Sequence, residues 1–156
     1  MNPLFLKSIL PEGFKTYTYT HEYSRHMFIV FACKKEFEIK NFNTIPDTAL
    51  DEKRSRPAVY GQLTYQGTAL LDLIGVHLKS RDDKTDLRLK QAKSIAQFIK
   101  NLNSKTPLVL TGDCNSHLKN VDIKVYNLND YSADQPFNKF YNEISDHVPV
   151  SLSVEL

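Results

Sequence analysis

The sequence predicts a mixed α/β fold rich in strands, and three observations lead there. Runs of β-branched and aromatic residues with a period of two recur along most of the chain. Residues 85–102 depart from that pattern and repeat their apolar side chains at helical spacing. Three short polar motifs each adjoin a hydrophobic run: Val76-His77-Leu78-Lys79-Ser80, Gly112-Asp113-Cys114-Asn115 and Ser145-Asp146-His147. Their polar side chains would therefore emerge at strand ends, where rigid scaffolds present chemistry.

In chain order, residues 14–20 alternate Tyr with Thr and residues 26–33 are β-branched and aromatic, so both read as strands separated by a polar turn. Residues 37–42 continue the pattern after Lys34-Lys35-Glu36. Residues 43–55 are polar, carry mixed charges and contain Pro46, which predicts an exposed loop. Residues 57–65 and 68–78 flank Gln66-Gly67 and read as a hairpin whose turn Gly67 supplies. In 85–102, Leu89, Ala92, Ile95, Ala96, Ile99 and Leu102 define the apolar face of a helix, with Arg88, Lys90, Lys93 and Lys100 on a solvated basic face. Residues 107–111 form a short apolar run that reads as a buried strand. Residues 124–128 are a weak strand, 136–141 an aromatic run, and 148–154 a terminal strand with Val148, Val150, Leu152 and Val154 on one side.

Nothing repeats and nothing resembles a linker, so 1–156 reads as one domain. At this length folding buries roughly 68–70% of the unfolded surface, enough for a core. A net charge of +2 is too small to argue for nucleic acid alone. No stretch approaches the roughly 20 apolar residues of a membrane span, and residues 1–10 lack the pattern of a signal peptide. The expectation is a cytoplasmic chain, with the reservation that a missing amino terminus would take any targeting segment with it. Cys33 and Cys114 make no disulfide framework and are expected reduced.

The residues themselves suggest acid–base and phosphate chemistry. The His147 imidazole titrates near neutral pH, and Asp146 beside it is placed to bias the ring or hold a metal. On an extended segment Asp113 and Asn115 point the same way, bringing a carboxylate and an amide to one site; the plain alternative is a turn in which Asp113 caps the backbone after it. Gly112 lets the backbone turn sharply and approach a ligand. Cys114 should point oppositely, into the core, as a small hydrophobe, and no basic or helix-start setting supports a thiolate paired with His117. His77 closes a strand with Leu73 and Gly75 on its face, where a lone histidine reads as a structural one. Arg56, before the first hairpin strand, reads as a salt-bridge partner. His21 and His26 lie outside every motif, and the aromatic residues are expected to fill the core.

The order, spacing and flanks of these motifs resemble the endonuclease/exonuclease/phosphatase superfamily, the fold of deoxyribonuclease-like and abasic-site nucleases, sphingomyelinases and inositol polyphosphate phosphatases. The similarity is clearest over 56–118, where Arg56-Pro57-Ala58-Val59 opens a strand and Arg88-x-x-Gln91-Ala92 lies on the helix after the His77 motif, and it resumes over 145–156. The resemblance implies a four-layer α/β/β/α sandwich, two packed β-sheets flanked by helices. It implies a metal-dependent phosphodiester hydrolase acting on DNA or RNA by in-line attack of an activated water. In those terms His147 is the base or charge stabiliser, Asp113 orients the water, Asn115, His77 and Arg56 hold the phosphate, and Asp146 with Asp113 binds Mg²⁺ or Mn²⁺.

The pattern also departs from the family. An amino-terminal strand with an Asn and a second with a metal-binding Glu are expected; Met1-Asn2-Pro3-Leu4 resembles the stretch after that Glu. The fold is therefore expected to be trimmed on its amino-terminal side and to bind its metal weakly, with a partner chain covering the bared strands. The segment between Asp113 and Asp146 is also short, leaving Asp122, Asp130 or Asp134 as the acidic partner of His147. The competing expectation is a non-catalytic remnant that binds a phosphate-rich ligand or another protein.

Overall fold

Strand-forming residues with alternating exposure produce six strands, and the helical repeat produces one helix, in the residues described by this computed structural model: 10–21, 28–50, 55–79 and 85–115. All belong to one compact unit, Met1–Ser116. The elements are β1 (Phe14–Thr20), β2 (Phe28–Lys34), β3 (Phe37–Thr44), β4 (Val59–Tyr65), β5 (Thr68–His77), α1 (Thr85–Asn101) and β6 (Leu108–Asp113). The expected strands at 124–128, 136–141 and 148–154 lie outside the described residues, as does part of the single-domain expectation for 1–156. No described helix is long and apolar enough to cross a membrane.

β1 and β2 form an antiparallel pair, and the other strands form a sheet in the order β3-β4-β5-β6. The β4–β5 hairpin turns at Gln66 and Gly67, both with positive φ, 48° and 83°, the backbone of a type I′ turn matched to strand twist. β5 and β6 are parallel, which no hairpin can connect, and α1 is the crossover between them.

Alternation along β4 and β5 sends side chains to two cores. Val59, Leu63 and Leu73 meet Ile29, Phe31, Cys33 and Ile39, cementing the two sheets face to face. Tyr60, Ile74 and Val76 point the other way and pack with Ile45, Ala58, Leu78 and Ile95 beneath α1, where Phe98, Ile99 and Leu102 join them. Each fully buried aliphatic side chain such as Ile74 contributes roughly 1.5–3 kcal/mol. Gly75 lets the sheets approach closely: a Cβ there would lie 2.8 Å from Phe31 Cε1 and 2.9 Å from Ile29 Cγ2. The expected packed sheets and a flanking helix are thus present as three layers among the described residues.

Three expectations are corrected. Residues 43–55 are not simply an exposed loop: β3 runs through Thr44, and Ile45, Thr48 and Ser55 are buried. Ile45 fills the core under α1, and the Thr48 hydroxyl donates to Ile45 O at 2.6 Å while accepting from Ala58 N at 2.9 Å. Local polarity hid one apolar plug and a set of long-range hydrogen bonds. The run at 107–111 is not a buried strand either: β6 is an edge of its sheet among the described residues, and Leu108 and Leu110 are exposed. On α1, Leu89, Ala92 and Ala96 are exposed rather than core-facing, because they lie beyond the stripe that Gln91 and Ile95 bury.

The start of β6 is fixed by a polar knot. Asp72 is fully buried in β5 and accepts from Tyr60 Oη at 2.7 Å, from Gln62 Nε2 at 3.1 Å and from Thr106 Oγ1. Its backbone N donates to Pro107 O at 2.8 Å, anchoring the segment before β6. Burial alone would raise its pKa, but bonds from Ser104, Thr106, Tyr60 and Gln62 hold the carboxyl below the usual range. Burial and the Asp72 charge push the Tyr60 hydroxyl well above its own. A depressed folded-state pKa contributes stability above about pH 4 that is lost as pH falls through the folded value. Asp72→Asn is therefore expected to cost about 2–3 kcal/mol at pH 7 and to flatten the acid limb of a urea-denaturation series; an unchanged acid limb would contradict this assignment.

Candidate active site

Register brings the candidate residues together. The β5–β6 ladder runs from Asp72 opposite Leu108 to His77 opposite Asp113, so both parallel strands end at one place. β4 runs the other way, with Val59 opposite Gly75, so Arg56, three residues before β4, reaches the same end. His77 Nε2 lies 3.6 Å from Asp113 Oδ2, an ion pair when the ring is protonated. Both side chains are partly exposed, 33% and 23%, so solvent screens the pair, although the Asp113 Oδ2 atom that faces the ring is buried. Arg56 is half-buried; desolvation lowers its guanidinium pKa and the Asp113 charge partly restores it. Its buried Nε has no hydrogen-bond partner among the described residues.

The chain leaves β6 through a tight turn. Gly112 has φ 126°, and a Cβ there would collide with Val76 O, so the close approach that needs glycine is to the neighbouring strand. Asn115 has φ 47°, which ends the extended geometry that would aim its amide beside the Asp113 carboxylate. Asp113 Oδ1 instead accepts Asn115 N at 2.8 Å, the backbone-capping turn. Asn115 Nδ2 donates to Leu78 O at 2.8 Å. Cys114 packs against the core under α1, and burial, aided by the Asp113 charge, raises its thiol pKa, as expected of a small hydrophobe.

The end of β5 is pinned through the backbone N and O of Leu78 and of Lys79. Leu78 N donates to Asp113 O at 2.8 Å, and Leu78 O accepts from Asn115. Lys79 N donates to Gln91 Oε1 at 2.9 Å, and Lys79 O accepts from Arg88 Nη1 at 3.1 Å. Arg88 also donates to Thr85 Oγ1 at 2.8 Å, so it is a clamp on the strand end rather than part of a solvated basic face. The spacing of Arg88 and Gln91, one helical turn apart on α1, was the available signal for that clamp.

His77, Asp113 and Arg56 thus converge, with Asn115 beside them. Asp146 and His147 lie outside the described residues. Among the described residues no three His, Cys, Asp or Glu side chains gather, and Asp113 is the carboxylate at these strand ends. A lone carboxylate holds Mg²⁺ only weakly, with waters and substrate phosphate completing its shell, so Asp113 is a candidate ligand in an incomplete set among the described residues.

No family model matches the chain, and no curated protein does. Solved structures do. TDP2 from D. rerio, complexed with a single-strand DNA product, matches with TM-score 0.58 and 19% identity over 75% of this chain and 46% of its own. The human nocturnin catalytic domain, with a bound sulfate anion, matches with TM-score 0.55 and 21% identity over 73% of this chain and 46% of its own. TDP2 from C. elegans matches with TM-score 0.53 and 16% identity over 72% of this chain and 33% of its own. The chain therefore spans less than half the length of these proteins. Their shared architecture is the endonuclease/exonuclease/phosphatase fold. At these identities the likeness shows the fold, and the resemblance drawn from the motifs is borne out at that level.

Asn115 combines a left-handed backbone with a side-chain bond, and two substitutions separate these. Asn115→Gly keeps the backbone and loses the bond to Leu78 O, costing about 1 kcal/mol. Asn115→Ala loses both and is expected to cost about 1 kcal/mol more in urea denaturation; equal losses would mean the backbone is not held in this conformation.

Proposed function

We propose that the chain is a phosphodiester hydrolase of the nuclease type acting on DNA or RNA. The reading is supported above all by the His77–Asp113 pair with Arg56 at the ends of two parallel strands, in a fold shared with proteins solved with a DNA product and with sulfate. Phosphodiester cleavage requires positive charge against the non-bridging oxygens, an oriented water and a proton carrier. Arg56, permanently charged, and His77 as donor supply the first. Asp113 Oδ2, which faces the His77 ring while Oδ1 holds the turn, orients the water. Asn115 Nδ2 has a second proton to offer a phosphate oxygen beyond the one given to Leu78 O. His147, supported by Asp146, is the base in this scheme.

No step here is routed through a metal, which Asp113 and Asp146 would hold weakly together with waters and substrate phosphate. The expectation that Asp113 and Asp146 hold Mg²⁺ or Mn²⁺ weakly is carried by the cation dependence of the assay. A second reading is a non-catalytic module that binds a phosphate-rich ligand or another protein, supported by the donors Arg56 and His77 standing beside a single described carboxylate.

The test is hydrolysis of plasmid DNA, RNA and a generic phosphodiester by the purified chain, with Mg²⁺ or Mn²⁺ and with chelator. Asp113→Ala and His147→Ala are expected to lower turnover by about 10²–10⁴-fold. Turnover unchanged in both variants would overturn the assignment, and no turnover from folded protein would favour the binding module.

A further inference from the structure

Gln91 is fully buried, and it hydrogen-bonds three backbone segments far apart in sequence. Its Oε1 accepts Lys79 N at 2.9 Å, while Nε2 donates to Thr48 O at 2.8 Å and to Arg56 O at 3.2 Å. Only a primary amide can accept one bond and donate two from a single planar group; a carboxylate has no donors and an aliphatic side chain has neither. Two of the three segments belong to the candidate site. Arg56 precedes Val59, the first β4 residue in the ladder with β5, and Lys79 follows His77, the last β5 residue paired with β6. The ladders therefore reach neither Arg56 nor Lys79.

The geometry points to Gln91 as the positioning residue of the site: by holding Arg56 O and Lys79 N on one amide, it sets where the Arg56 guanidinium stands relative to His77 and Asp113. It touches none of the reacting groups and acts through the two backbones it joins. This role rests on the phosphodiesterase reading for its catalytic meaning but not for its geometry. Placing the device on α1 makes sense in the topology, because α1 is the connection between the strand that ends in His77 and the strand that ends in Asp113.

Gln91→Met keeps the volume and removes all three bonds. Asp72→Asn is the control, a buried polar change at the other end of the β5–β6 ladder. In metal-free protein at fixed pH, Gln91→Met is expected to move the Arg56 Nε–H and His77 ring NMR signals, while Asp72→Asn leaves both in place. Inorganic phosphate affinity is expected to fall by about tenfold in the Gln91 variant and to stay within about twofold in the control. Unmoved Arg56 and His77 signals in folded Gln91→Met would overturn the inference. Should that variant not fold, hydrogen exchange at Lys79 N in the unaltered protein decides: protection of at least about 10³-fold supports the inference, and exchange at the free-chain rate refutes it. Absence of phosphate binding in the unaltered protein would count against the proposed function, while the NMR signals would still judge the role of Gln91.

Discussion

The arrangement depends on one register, His77 of β5 opposite Asp113 of β6 in a parallel pair. A slip of one residue would turn every side chain of β6 to the other face and put Gly112 or Cys114 beside the imidazole. Several contacts hold the register. Gly112 packs on Val76 O where no larger residue fits, Leu78 N bonds Asp113 O just past the ladder, and Asp72 N bonds Pro107 O just before it. Parallel pairing also requires a long connection, and α1 then carries Arg88 and Gln91 back over the strand end that precedes it.

The two cores hold that end of the sheet from both faces. Val59, Leu63 and Leu73 are tied to the β1–β2 pair through Phe31 and Ile29, while Ile74, Val76 and Leu78 are tied to α1 through Ile95. Gly75 lies between, letting Phe31 approach β5 two residues before His77. Apolar packing thus stops one residue short of the imidazole on its own face. Beyond that point hydrogen bonds from Asn115, Arg88 and Gln91 join the packing of Leu78 in holding the strand end.

Much of the scaffold was legible because its signals are local. The Tyr-Thr alternation of β1, the Gln66-Gly67 turn and the apolar stripe of α1 each follow from neighbouring residues. The motifs at His77 and Asp113 also marked the right strand ends. What escaped were interactions between distant positions. Gln91 and Thr48 are 43 residues apart, and a polar window around Thr48 conceals the buried Ile45. Asp72 reads as an interruption in an apolar strand until Tyr60, Gln62 and Thr106 surround it. Asn115 was expected on an extended segment, but its left-handed backbone turns the amide to Leu78 O, a choice that Asn tolerates and an alternation rule does not see.

The most direct measurement is an NMR titration of the ¹⁵N-labelled chain with a short single-stranded oligonucleotide, following backbone amides and arginine Nε–H signals. If the paired strand ends form a phosphodiester site, the shifts concentrate at Arg56, His77, Asp113 and Asn115. Shifts confined to Lys90, Lys93 and Lys100 on α1, or none at any residue, would contradict the account.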